Sequence, residues 1–120
     1  MPFNADSIRQ EFLALPAFDR ARLMRAMKRY QDGTEGDARP AEIDSYEGGI
    51  HRIKSSDPKA QGRGLFSRIR RKTKEAKDGP ELLALLVVYK KESDSVPRSV
   101  LDKARQRKKG YEDENGVELH

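Results

Sequence analysis

The side chains of this 120-residue chain that could do chemistry are almost all arginines and lysines, 25 in number. There are only two histidines, His51 and His120, and no cysteine, so nothing has the ligand spacing of a metal site and no cofactor is expected. A phosphate-cradling glycine loop and a nucleophile elbow are also missing. What remains is Arg and Lys at alternate positions of extended stretches. In IHRIK, residues 50–54, a period of two places Arg52 and Lys54 on one face and His51 and Ile53 on the other. That puts His51 on the core side, a structural position rather than an acid or base. In residues 65–73 the same period groups Phe66, Arg68, Arg70 and Lys72, with Leu65, Ser67, Ile69 and Arg71 opposite. Tyr89 and Lys91 share a face where the longest apolar run ends.

The charge is unevenly placed. Residues 50–109 hold 18 basic and 7 acidic side chains, a net of +11, against −2 for residues 1–49 and −4 for residues 110–120. A basic central surface of this kind suits a polyanionic partner, and a solvated face is the other reading of such a run. An apolar content of 35% against 38% charged is thin for a globular domain, so part of the surface is either disordered or covered by a partner. The absence of cysteine, of a signal-type segment and of any apolar stretch of bilayer-spanning length leads us to expect a cytoplasmic protein without membrane contact.

The elements that must position these residues follow from periodicity. The segment ELLALLVVYKKES, residues 81–93, has apolar residues at both phases of a two-residue period. It predicts a strand central in its sheet and covered on both faces, with Leu83, Leu85 and Val87 opposite Leu82, Ala84 and Leu86. Residues 65–73 precede it as an antiparallel hairpin partner. Upstream, residues 41–55 read as strand with a kink or turn at Gly48-Gly49. Gly62 and Gly64 read as a loop pair. The amino-terminal part predicts two helices divided at Pro16. The first is capped by Asp6 or Ser7 and carries Ile8, Phe12 and Leu15; the second is capped by Asp19, carries Leu23, Met27 and Tyr30, and stops at Gly33. A last helix, capped by Asp94 or Ser95 with Pro97 in its first turn, buries Val100, Leu101 and Ala104. It presents Lys103, Arg105, Arg107, Lys108 and Lys109 outward and ends at Gly110. The predicted fold is α+β: an N-terminal αα-hairpin packed on a small antiparallel β-sheet, followed by a basic C-terminal helix. Residues 1–110 form one domain, and residues 111–120 are an acidic tail expected to be disordered.

This order of elements, together with three short stretches, resembles the RelE/ParE superfamily of bacterial and phage toxins, most of all its HigB-like branch. The stretches are His51-Arg52-Ile53-Lys54, Phe66-Ser67-Arg68, and Val88-Tyr89-Lys90-Lys91-Glu92-Ser93 leading to Val96-Pro97 and the basic segment from Ala104 to Tyr111. The resemblance covers residues 8–111. It implies the toxin of a type II toxin–antitoxin system, a ribosome-dependent endoribonuclease that cuts translated mRNA and is silenced by a cognate antitoxin. Matched by position, Arg52, Lys54, Arg68 and Lys91 are the implied catalytic residues. Beside them, Arg70, Lys72, Tyr89, Lys90, Arg105, Arg107 and Lys108 are candidate RNA-binding residues; for Arg70, Lys72 and the basic face of the last helix, phosphate contact and a solvated charge are equal readings.

The chemistry implied is attack of a 2′-hydroxyl on the adjacent phosphate. Fixed Arg and Lys charges stabilise the negative charge that builds on the pentacoordinate phosphorus, and no metal is required. Arg suits phosphate oxygens because its fork is bidentate, and a Lys crowded by cations can serve as a base. The sequence departs from the resemblance at one point: the aromatic that some members place after the third strand is missing near Pro97, so either Tyr89 substitutes or catalysis is weaker. Three alternatives stay open: a ParE-like toxin that inhibits DNA gyrase without cutting, a non-catalytic RNA-binding module, and a pure interaction protein that makes no phosphate contact.

Overall fold

The helical spacing of the amino-terminal apolar residues and the alternation that follows become two helices, a sheet and a third helix. The computed structural model describes residues 5–32, 42–69, 82–93 and 95–120. They form α1 (Ala5–Ala14), α2 (Ala17–Asp32), β1 (Glu42–Tyr46), β2 (Ile50–Lys54), β3 (Gly62–Ile69), β4 (Leu82–Lys90) and α3 (Arg98–Asn115), which is the predicted α+β arrangement. Pro16 divides the helices as expected. Asp19 does not cap α2, which starts at Ala17. Its carboxylate accepts the Gln61 N–H at 2.8 Å instead and ties α2 to the start of β3.

The described strands pair antiparallel in the order β1-β2-β3-β4. Gly48 and Gly49 make the β1–β2 turn with φ of +83° and +74°, a conformation that side chains resist, which is why glycine stands at both. One core cluster joins Ile8, Leu15, Leu23 and Ala26 of the helical hairpin to Ile53, Phe66 and Val88 of the sheet. The other joins Ile50, Leu65, Leu86 and Val87 to Ala104, with Val100 and Leu101 of α3 against them.

β4 is therefore covered on both faces, as predicted, but it lies at the end of the strand order rather than in its centre. Doubly apolar alternation reports burial of the two faces and says nothing of the edge. The helices supply the groups that the edge lacks: Leu83 N–H donates to Gln31 Oε1 at 2.9 Å, Val88 N–H donates to Glu11 Oε1 at 3.0 Å, and Leu86 C=O accepts from Arg107 Nη1 at 2.9 Å. Side chains occupy the positions where another strand would pair. The alternation also slips. Leu65 pairs with Val87 and Phe66 with Leu85, so Leu86 is an extra residue, and Val87 joins Leu86 on the α3 face instead of Leu83 and Leu85.

β3 begins three residues earlier than expected. A Cβ on Gly62 would lie 3.1 Å from Leu15 Cδ1 and 3.3 Å from the Asp19 carbonyl oxygen, and one on Gly64 would lie 3.1 Å from Leu85 Cδ1. These are strand glycines set by close approach of neighbours, not loop residues.

The carboxyl-terminal expectations change most. Pro97 is itself the N-cap of α3 and no side chain caps the helix, so Ser95 does not take that role; Asp94 lies outside the described residues. The helix runs through Gly110, which is buried within it, and ends at Gly116 in the left-handed conformation (φ +61°), where Val117 N–H reaches back to Glu112 O. The tail beyond it is docked rather than loose. Leu119 is buried and bridges to Ile69, its N–H donates to Glu112 Oε2 at 2.9 Å, and the backbones of Arg68 and His120 bond in both directions at 2.6 and 3.0 Å. Acidic composition concealed an apolar anchor and a carboxylate that holds it.

Candidate nucleic-acid interface

Strand register decides which basic residues meet. Glu42 stands opposite Lys54, Lys54 opposite Arg63, and Arg63 opposite Tyr89, so one row crosses all four strands. In antiparallel pairs opposite residues share a face, and Tyr89 packs with the α3 cluster, so the row is on the α3 side of the sheet. The neighbouring row runs Asp44, Arg52, Leu65, Val87 on the same face. Arg52 and Lys54 share a face as the alternation predicts, and the strand register adds Tyr89 to them. Lys91, just past β4, donates its N–H to Gln61 O at 2.7 Å and so has its backbone fixed at the same end of the sheet.

Three cations and two carboxylates make up this patch. Arg52 pairs with Asp44 through Nη2 and through Nε at 3.1 Å, and Lys54 Nζ lies 3.0 Å from Glu42 Oε2. Burial pulls the Arg52 pKa down, but the Asp44 hydrogen bond and nearby charge outweigh it and hold the guanidinium charged above its ordinary value. Arg63 is only 6% exposed, and its Nη1 donates to the carbonyls of Ala60 at 2.9 Å and Gly62 at 3.2 Å. Its pKa is lowered, first by burial and then by the charge of Arg52. Tyr89 is half-buried, which raises its phenol pKa against the opposing pull of Arg52, with which it hydrogen-bonds. A phenol so placed keeps its proton at neutral pH and can donate it. The arrangement can bind phosphate oxygens, stabilise added negative charge and supply one proton.

Other expected site residues are elsewhere. Arg68 is on the opposite face: its strand neighbour Phe66 is in the hairpin core, and Arg68 Nε donates to the Tyr30 hydroxyl at 2.7 Å. The alternation that grouped Phe66 with Arg68 was sound, but an aromatic in that group fills the helical side. Lys90 pairs with Gly62, out of phase with Tyr89, and is exposed. Arg105 is exposed on α3, 3.4 Å from Asp102. Arg107 does not face outward. Its two Nη atoms grip Glu11 at 2.9 and 2.8 Å, and Nη1 also reaches Leu86 O. Lys108 is likewise mostly covered and lies 3.4 Å from Glu112. In both cases the carboxylate partner, distant in sequence or beyond the supposed helix end, is invisible to a charge count. Arg70 and Lys72 lie outside the described residues.

His51 has the structural place expected of it, buried against Phe66 with Nδ1 2.8 Å from Ser45 Oγ. Arg63 is the residue that sequence reasoning missed. Its signal was Gly62-Arg63-Gly64 read as strand: two glycines on the face crowded by Leu15, Asp19, Ile53 and Leu85 put Arg63 in phase with Leu65 on the other.

No group of His, Asp and Glu that could hold a metal occurs among the described residues, and no described helix is long and apolar enough to cross a membrane. Comparison with models of known families and with curated proteins returns no match.

Proposed function

We propose that this protein is the toxin of a type II toxin–antitoxin pair, an endoribonuclease that cuts mRNA at the ribosome without a metal. The observation that carries the proposal is the row Lys54–Arg63–Tyr89 flanked by Arg52 on one sheet face. The resemblance of the element order and of the stretches around Arg52 and Tyr89 to RelE/HigB-like toxins supports it. In the reaction proposed, the 2′-oxygen forms a bond to phosphorus and the bond to the 5′-oxygen breaks. The products are a 2′,3′-cyclic phosphate and a 5′-hydroxyl. Arg52 and Lys54 exchange their carboxylate partners for phosphate oxygens. Arg63, held by the Ala60 and Gly62 carbonyls, contributes fixed positive charge beneath them. Tyr89 gives its proton to the leaving oxygen, and the 2′-hydroxyl proton passes to solvent. This assignment replaces Arg68 by Arg63. An acidic antitoxin segment that covers this face would silence it.

One observation favours a second reading, the non-catalytic RNA-binding module: Asp44 and Glu42 already occupy Arg52 and Lys54. Expression in a bacterium with mapping of mRNA 5′ ends separates the two. New ends inside translated frames support the nuclease. Intact mRNA with the chain bound to ribosomes supports the binding module, and DNA damage with intact mRNA points to gyrase.

A further inference from the structure

A cleft on the described surface lies away from this row, between α2 and the loop joining β2 to β3. It has a volume of about 440 Å³, and the described residues that line it include Arg22, Arg25, Arg29, Lys59, Ser55 and Ser56, with one carboxylate among them, Asp57. The three arginines fall three and four positions apart, on one face of α2. Asp57 is already used by the loop itself: Oδ1 accepts the Lys59 N–H at 2.9 Å and Oδ2 lies 3.3 Å from Arg22 Nε. Arg22 is further fixed with its guanidinium 5.1 Å from the Phe18 ring centre, and its Nε is enclosed without an aligned acceptor. Ser55 Oγ accepts the Asp57 N–H, and Ala60 N–H closes on Asp57 O, so the opposite wall is a built turn. Among the described lining residues, four cations share this cleft with the carboxylate of Asp57, which the loop and Arg22 already engage.

We infer that this cleft is a second phosphate-binding site, which holds the RNA backbone beside the sheet face rather than taking part in bond cleavage. The inference rests on the proposed RNA substrate. Guanidinium forks and serine hydroxyls are the donors that recur on phosphate oxygens, and such contacts position a strand without reading its bases. The loop that forms one wall leaves β2 directly after Lys54 and enters β3 at Gly62, one residue before Arg63. A single strand crossing that loop can therefore lie in the cleft and continue onto the row. The sheet face would do the chemistry and the cleft would supply much of the salt-dependent affinity.

The test uses the full chain and a labelled 12-nucleotide single-stranded DNA, which has no 2′-hydroxyl and cannot be cut, so binding is read whether or not the chain is a nuclease. Affinity is measured against salt concentration for the wild type, for Arg25→Gln with Lys59→Gln, and for Arg98→Gln with Lys109→Gln. The last pair removes the same charge from exposed positions on α3. Loss of two phosphate contacts should flatten the log–log salt slope by about 1.4 for the cleft pair, and by less than half of that for the α3 pair. Equal flattening by both pairs would show diffuse attraction and overturn the inference, as would absence of binding by the wild type. A polyglutamate peptide serves as the competing ligand. If the cleft pair loses the peptide and keeps the DNA, the cleft takes an acidic protein segment and the inference is also overturned.

Discussion

Replacing Arg107 by alanine should destabilise the protein, not loosen its grip on RNA. The guanidinium makes a two-pronged contact with Glu11 at 2.8 and 2.9 Å and holds the Leu86 carbonyl at 2.9 Å, with the two side chains 17% and 20% exposed. Hydrogen bonds to a charged partner contribute about 1.5–3 kcal/mol, and a carbonyl left without a donor costs about 1–3 kcal/mol. Partial exposure lets water replace some of this, which leaves about 3 kcal/mol for Arg107→Ala. For a domain of this size that lowers Tm by about 12 °C. Arg107→Lys keeps the charge but loses the fork, and should cost about half as much. A urea-unfolding cycle with Glu11→Ala should return a coupling of about 1–2 kcal/mol. A loss below about 0.5 kcal/mol, joined to weaker and less salt-sensitive RNA binding, would refute this and restore Arg107 to the outer surface.

Gln31→Ala leaves the Leu83 N–H at the β4 edge without its acceptor. It should cost about 1–2 kcal/mol in urea unfolding and promote self-association on size-exclusion chromatography. Gly64→Ala places a methyl 3.1 Å from Leu85 Cδ1 and 3.2 Å from Ile53 Cγ2, and should cost about 1–2 kcal/mol by the same measure, since both contacts are side chains that can shift. Tyr89 has a folded pKa raised above its ordinary 10.0, so the unfolded chain loses that proton first and stability falls as pH climbs beyond this value. Tyr89→Phe should remove this part of the alkaline loss, and parallel pH–stability curves for mutant and wild type would contradict it.

The fold was legible because burial writes itself into periodicity. Helical spacing at Ile8, Phe12 and Leu15 and the strand alternation at His51 and Ile53 came through as elements with the right faces. The position of β4 in the sheet did not, because its edge is closed by Glu11, Gln31 and Arg107, side chains on helices remote in sequence. The bulge at Leu86 was hidden for a similar reason: in a run apolar at both phases, a one-residue slip leaves no polar residue out of place. At the candidate site, Arg52 and Lys54 could be grouped by alternation alone, whereas Tyr89 joins them through the register of β2, β3 and β4. Arg63 needed the knowledge that Gly62 is crowded by Leu15 and Asp19 of the helical hairpin and Gly64 by Leu85 and Ile53 of the neighbouring strands, which is a tertiary fact. The tail misled in the opposite sense, since four carboxylates outweighed one buried leucine in the reading and not in the structure.

The most direct measurement is of the product ends formed when the purified chain acts on a defined mRNA in a programmed bacterial ribosome. Cleavage through the Lys54–Arg63–Tyr89 row should leave a 2′,3′-cyclic phosphate and a 5′-hydroxyl, and a single 2′-deoxy substitution at the cut site should stop it. Lys54→Gln and Arg63→Gln should each slow the cut about ten- to a thousandfold, while Arg68→Gln, on the opposite face, should leave it nearly unchanged. Cutting that survives the 2′-deoxy substitution, or that depends on Arg68 and not on Arg63, would contradict the proposed site.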